Sequence, residues 1–241
     1  MHKNILWLAL AAATLIEGGT VGQPVLIELF TSEGCSSCPP ADALLEKLDR
    51  DQPVAGAQII VLSEHVDYWN HLGWADPFSS HAFSERQEQY ARRFALAGPY
   101  TPEMVVNGNA ELVGNDRARA EAAIRAAIGG PRVGIRIQPS QTPDQVAVSV
   151  DPLPAGKNHK ATVYVAQAAD GGSSNIPGGE NRGRTLHHVS IVKELQQVGS
   201  ISERAGLEKR IAVSSGSRLV VFVQESGNGP VRGAAMYTVP K

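Results

Sequence analysis

Val25-Leu-Ile-Glu-Leu-Phe30 runs straight into Thr31-Ser-Glu-Gly-Cys35-Ser-Ser-Cys38-Pro-Pro-Ala-Asp42. The apolar run reads as a buried strand, and Asp42-Ala-Leu-Leu-Glu-Lys-Leu48 reads as an amphipathic helix. A Cys-Ser-Ser-Cys motif therefore sits where a strand turns into a helix. Cys35 and Cys38 are the only two cysteines of the chain. Stapling bridges usually join distant segments, because closing a long loop constrains the unfolded chain most. A CxxC loop constrains almost nothing, and beside a strand–helix unit it reads as a redox pair. An inert local disulfide and half of a metal site are the alternatives. At a helix N-terminus, unpaired N–H groups and the positive end of the dipole favour thiolate over thiol. Cys35, the outer cysteine, is then the candidate nucleophile and Cys38 the resolving thiol. Ser36 and Ser37 are placed to donate hydrogen bonds to a thiolate, and Pro39 suits the first helical position.

Upstream, Met1-His-Lys-Asn4 is a short basic start, and Ile5–Ile16 is an apolar stretch. Glu17-Gly-Gly-Thr-Val-Gly22 then offers small residues for cleavage, so residues 1–22 read as a signal peptide. The apolar stretch is well short of the roughly 20 residues that span a bilayer. The expectation is a periplasmic or secreted protein that has no membrane attachment once the signal is removed. A net charge of −2 and a pI near 6.4 show no basic excess, which argues against nucleic acid or an anionic membrane as partner. Aromatics at 5% are too sparse for a carbohydrate-stacking surface.

Downstream, strands and helices alternate. Gln58–Leu62 reads as a second strand, Ser79–Ala97 as a helix, and Met104–Val106 as a strand leading to an Asn107-Gly108 hairpin signal and a partner strand over Ala110–Val113. Asp116 is placed to cap an Ala-rich helix running to Ile128. Past Gly129-Gly130-Pro131 the pattern becomes period-2 alternation, in Val133/Ile135/Ile137, Val146/Val148/Val150, Thr162–Ala166, Val189/Ile191 and Leu219–Val223. The organisation expected is an α/β domain over 23–130 and a β-rich, sandwich-like domain over 131–241. No GxGxxG, Walker A, HExxH or GxSxG pattern occurs, so nucleotide-dependent or hydrolytic chemistry has no foothold.

Tyr100-Thr101-Pro102 immediately precedes the Met104 strand, and X-Pro is where a cis bond is cheap. Strand, CxxC, helix, strand, helix, Thr-Pro, hairpin and terminal helix together resemble a thioredoxin fold over Val25–Ile128. More narrowly, Glu28–Asp42, Val66-Asp-Tyr-Trp-Asn-His-Leu-Gly-Trp-Ala-Asp-Pro-Phe78 and Gly183-Arg-Thr-Leu186 resemble a family of uncharacterised secreted bacterial proteins. That family is thioredoxin-like at its N-terminus and labelled as a domain of unknown function. The resemblance implies that Pro102 is cis, that its loop faces the cysteines, and that Thr101 offers main chain to a partner. It also exposes departures. The position of the buried thioredoxin carboxylate holds Leu29, and the residue before the first cysteine is Gly34. Glu28, Glu33, Glu64 and Asp67 are the candidates for proton handling.

The segment around 64–98 is an insertion relative to thioredoxin. Tyr68 and Trp69 are a candidate substrate platform, and Trp74 a packing residue. With Cys35 and Cys38, His65 reads alternatively as a soft copper site; His71 and His81 read as surface residues. In the β-rich half, Gly178–His188 carries Arg182 and Arg184, which would bear on the thiolates if the loop folds back toward Cys35. Three functions are carried forward: a thiol–disulfide oxidoreductase acting on protein or small-molecule thiols with no cofactor beyond the disulfide, a copper-binding or copper-delivery protein, and a non-catalytic binding module.

Overall fold

The computed structural model describes residues 22–130, 132–142, 144–156 and 160–241. The expected signal peptide, residues 1–22, lies outside them except for Gly22. The elements run β1 (Gln23–Thr31), α1 (Pro39–Asp51), β2 (Ala57–His65), α2 (His81–Arg93), β3 (Glu103–Val106), β4 (Ala110–Val113) and α3 (Arg117–Ala127). Seven strands follow: β5 (Ile135–Pro139), β6 (Gln145–Val150), β7 (Lys160–Asn175), β8 (Thr185–Ser202), β9 (Leu207–Ala212), β10 (Ser217–Glu225) and β11 (Val231–Thr238).

β1 is apolar on both sides because both of its faces are covered. Val25, Ile27 and Leu29 pack under α1 and α3 with Leu44, Leu45, Leu48, Ala120 and Ile124. Leu26 and Phe30 face the other way, toward clusters that contain Phe83 and Tyr90 of α2. β1 pairs in parallel with β2 and antiparallel with β3. Asn107 and Gly108 take positive φ in the β3–β4 connection, as the hairpin signal requires.

A change from mixed elements to strands does occur near Gly130, but the sheet does not stop there. One eight-stranded mixed sheet runs in the order β11-β10-β7-β8-β2-β1-β3-β4. The junction is a parallel contact of β8 with β2, at Ser63 and Ile191. The fold is thus a mixed α/β, sheet-dominated one. A second sheet, β5-β6-β9, lies against the outer strands of the first. Val146, Val148 and Val150 meet Val163, Val165, Leu219, Val221 and Val223 there.

Arg86 of α2 locks the two halves together from beneath. Its guanidinium lies 2.5 Å from Glu28 on β1, donates to Gln224 of β10 at 3.0 Å, and stacks near Tyr164 and Phe222. Burial opposes a charge on Arg86, but Glu28, Tyr90 and Glu64 outweigh it and hold the guanidinium charged. Among the described residues, no helix is long and apolar enough to cross a membrane.

Candidate functional site

Cys35 and Cys38 are joined as a disulfide at the start of α1. Cys38 is the N-cap, with Pro39 and Pro40 filling the first two helical positions. The chain enters through a tight turn, Cys38 N–H donating to the Cys35 carbonyl at 3.2 Å, and the helix opens with Ala41 N–H donating to the Cys38 carbonyl at 2.8 Å. Cys35 Sγ lies 3.3 Å from Ser37 Oγ. The Thr101–Pro102 bond is cis. Gly114 lets that loop approach the helix, for a Cβ there would meet Pro102 Cβ at 3.0 Å, Ala41 Cβ at 3.1 Å and Leu29 Cδ1 at 2.8 Å. Pro102 and Ala41, in the first turn of α1, thus both border Gly114.

Both cysteines are completely buried. Part of the cover comes from the segment that follows β2. Trp69 donates its indole N–H to Thr101 Oγ1 at 2.8 Å, and its Cβ lies 3.0 Å from where a side chain at Gly34 would begin. The rest comes from the β7–β8 connection, residues 176–184. Asn181, itself fully buried, donates to the carbonyl oxygens of Glu33 and Cys35, each at 2.9 Å. Glu180 accepts the Ser36 N–H at 3.0 Å, and the Ser36 hydroxyl followed by that N–H holds its carboxyl below the usual range. Gly178 permits this closeness, since a Cβ there would sit 2.3 Å from the Gly73 carbonyl oxygen. The loop does fold back onto Cys35, but not through the arginines singled out in the sequence. Arg182 is exposed, and Arg184 donates to Asn181 Oδ1 at 3.1 Å.

A buried polar cluster lies under the same turn. Glu33 accepts the Trp74 indole N–H at 2.8 Å, while its N–H donates to Asp76 at 2.9 Å. Asp76 also pairs with His65 Nδ1 at 2.7 Å, and these partners, against the opposing effect of burial, hold its carboxyl below the usual range. The His65 ring packs edge-on to His188 of β8, with centroids 4.6 Å apart. His188 lies between Glu33 at 3.4 Å and Asp42 at 3.7 Å. Burial disfavours its charge, yet Asp42 and Glu33 outweigh that and lift the imidazole from 6.5 to about 9.

Of the four proton-handling candidates, only Glu33 is brought into this cluster. Glu28 and Glu64 belong to the Arg86 network, where burial and then Glu28 keep the Glu64 carboxyl well above its ordinary value. Asp67 accepts from Ser84 Oγ near the start of α2. Tyr68 donates to Gln87 at 3.1 Å, and burial lifts its phenol to about 12. Trp74 is half-buried, while His71 and His81 are exposed. Among the described residues no group of three or more His, Cys, Asp and Glu side chains is arranged to hold a metal ion, and His65 pairs with Asp76. Asn181, His188, Asp42 and Asp76 were not singled out as site residues by sequence reasoning. His188 carried one signal, since consecutive histidines in a strand must point to opposite faces; His187 is exposed and His188 buried.

The chain belongs to the family described as "Protein of unknown function (DUF1223)", whose model matches residues 26–224. It is similar to the crystal structure of protein AGR_C_4864 from Agrobacterium tumefaciens, with 26% identity and a TM-score of 0.72 over 91% of this chain and 96% of that chain. The third fibronectin III domain of the human KIAA0343 protein is 14% identical over 46% of this chain and 84% of that chain, with a TM-score of 0.27. No functionally curated protein matches the chain.

Proposed function

We propose that this protein is a periplasmic or secreted thiol–disulfide oxidoreductase. Its N-terminal half is thioredoxin-like, and its β-rich, sandwich-like half closes over the reactive pair. The observation that carries this reading is the disulfide at the N-terminus of α1, with the Thr101–Pro102 loop and the first turn of that helix both bordering Gly114. Partners are protein or small-molecule thiols, and no cofactor is needed beyond the Cys35–Cys38 disulfide.

In the exchange, a partner thiolate bonds to Cys35 Sγ, the Cys35–Cys38 bond breaks, and Cys38 leaves with the electron pair as a thiolate. The partner's second thiol, its proton released, then attacks the partner sulfur of the mixed disulfide and Cys35 leaves as thiolate. The partner ends as a disulfide, two electrons poorer. Because the pair is covered, this requires the 176–184 loop to move aside.

The test is a redox titration of the mature protein in defined thiol/disulfide buffers, with alkylation mass shifts scoring the pair. A reversible midpoint within about −120 to −270 mV supports an exchange catalyst. A midpoint below about −300 mV makes the bond structural and overturns the proposal. A Cys38→Ser variant should accumulate mixed disulfides through Cys35, and a Cys35→Ser variant should not.

A further inference from the structure

An exchange site must stabilise the thiolate released when its disulfide is reduced, and this chain has given up two usual means of doing so. The strand position for a buried carboxylate holds Leu29, packed in the apolar core. The N-terminus of α1 is also weakened as an anion site, because Pro39 and Pro40 occupy its first two positions and carry no N–H. What lies beneath the turn instead is a charge from the other half of the chain. We infer that His188, on β8, is a positioning residue of the disulfide: its imidazolium bridges Glu33, two residues before Cys35, and Asp42, one turn after Cys38, and so favours the thiolate formed on reduction.

The geometry supports this in three ways. Glu33 and Asp42 come from the two sides of the CxxC turn, so one cation between them fixes both ends of it. Contacts of 3.4 and 3.7 Å are ion-pair rather than hydrogen-bond distances, and both His188 nitrogens, Glu33 Oε1 and Asp42 Oδ1 are buried without a hydrogen-bond partner. The cluster is thus held by charge. The imidazole nitrogens are closed to solvent even though His188 borders a surface pocket of about 430 Å³ with Glu46, Gly172, Ser173, His187 and Val189, so water screens the charge little from its neighbours.

The charges facing His188 are Glu33 from the turn, Asp42 from α1, and His65 with its partner Asp76 from β2 and the insertion. Glu46 and His187 stand at the pocket mouth, and Lys193 lies over Phe78, whose ring packs against His188. Without the imidazolium, the buried carboxylates on either side of the CxxC turn in sequence, Glu33 and Asp42, would lose their shared cation, and like charge disfavours a thiolate.

This inference rests on the oxidoreductase reading, but its test reads the sulfurs alone. In the chemically reduced protein, the thiolate midpoint is followed by ultraviolet absorbance against pH. His188→Gln should raise that midpoint by about one unit or more. It should also shift the equilibrium with a reference dithiol about tenfold toward the disulfide, which is about 30 mV.

Because this variant risks misfolding, a wild-type measurement stands beside it. By reciprocity, a thiolate that His188 stabilises must in turn stabilise the imidazolium. The His188 titration, followed by NMR, should therefore have a higher midpoint in the reduced protein than in the oxidised one. The same midpoint in both states, or an unchanged thiolate midpoint in folded His188→Gln, overturns the inference. Failure of the oxidoreductase reading would appear separately, as a pair that does not exchange reversibly in thiol/disulfide buffers.

Discussion

Replacing Asn181 with alanine should make the disulfide much easier to reduce. The Asn181 amide makes two hydrogen bonds, both 2.9 Å long, to the carbonyls of Glu33 and Cys35. A typical intramolecular hydrogen bond contributes about 1 kcal/mol net. The variant leaves the Glu33 carbonyl unpartnered in the closed form and the Cys35 carbonyl with only the Cys38 N–H, so the loss of both bonds weakens closure by about 2 kcal/mol. At tenfold per 1.4 kcal/mol the open fraction rises about 30-fold. With the cap opening and closing faster than reduction, the reduction rate follows that fraction. The assay is pseudo-first-order reduction by dithiothreitol, quenched by alkylation and read by mass, with denatured protein as the reference. Glu180→Ala removes the contact of an exposed carboxylate with Ser36, which solvent can replace, and should give a smaller acceleration in the same assay. If Asn181→Ala keeps its fold and is reduced within about twofold of the wild-type rate, the 176–184 loop does not gate the disulfide and the reasoning fails.

Three further outcomes follow from the buried charges. His188 has a folded pKa of about 9 against 6.5, so its stabilisation is complete below pH 6.5 and is lost as pH rises through 9. At about 1.4 kcal/mol per unit the loss is about 3 kcal/mol, measured by urea unfolding across that range, and His188→Gln should flatten it. Burial lifts Glu103, the residue after Pro102, from 4.5 to about 7; its contribution is present below pH 4.5 and fades as pH rises through 7. Glu103→Gln should thus unfold at higher urea than wild type at pH 8, and an unchanged midpoint would contradict a buried carboxyl there. Arg86→Ala leaves Glu28 uncompensated in the interior and should cost about 3–5 kcal/mol in denaturant titration, whereas a loss below 1 kcal/mol would mean the network is hydrated.

The local signals were legible because each depends on neighbours in sequence. The β1–Cys35–α1 unit, the Asn107-Gly108 turn and the Asp116 cap follow from spacing and side-chain chemistry alone; Asp116 does accept the Arg119 N–H. What escaped was long-range. β7 and β8 extend well beyond the alternation visible in Thr162–Ala166 and Val189/Ile191, because Gly171–Ser174 and Gln196–Ser200 pair by backbone without offering an apolar face. β9 and β11 were not recognised, the first because Glu208, Lys209 and Arg210 hide its period. Nothing local marks β8 as the neighbour of β2, so neither Asn181 over the cysteines nor His188 beneath them was evident as a site residue.

The order of the chain gives the cap a consequence for biogenesis. Asn181 stands 146 residues after Cys35, so the cysteines are synthesised well before anything that can cover them. At about 5–20 residues per second, that interval lasts about 7–30 s. Until the β7–β8 connection docks, the cysteines are an open pair, and docking then seals whichever redox state they have reached. On the oxidoreductase reading, delaying the folding of the C-terminal half in an oxidising compartment should raise the fraction that closes as the disulfide.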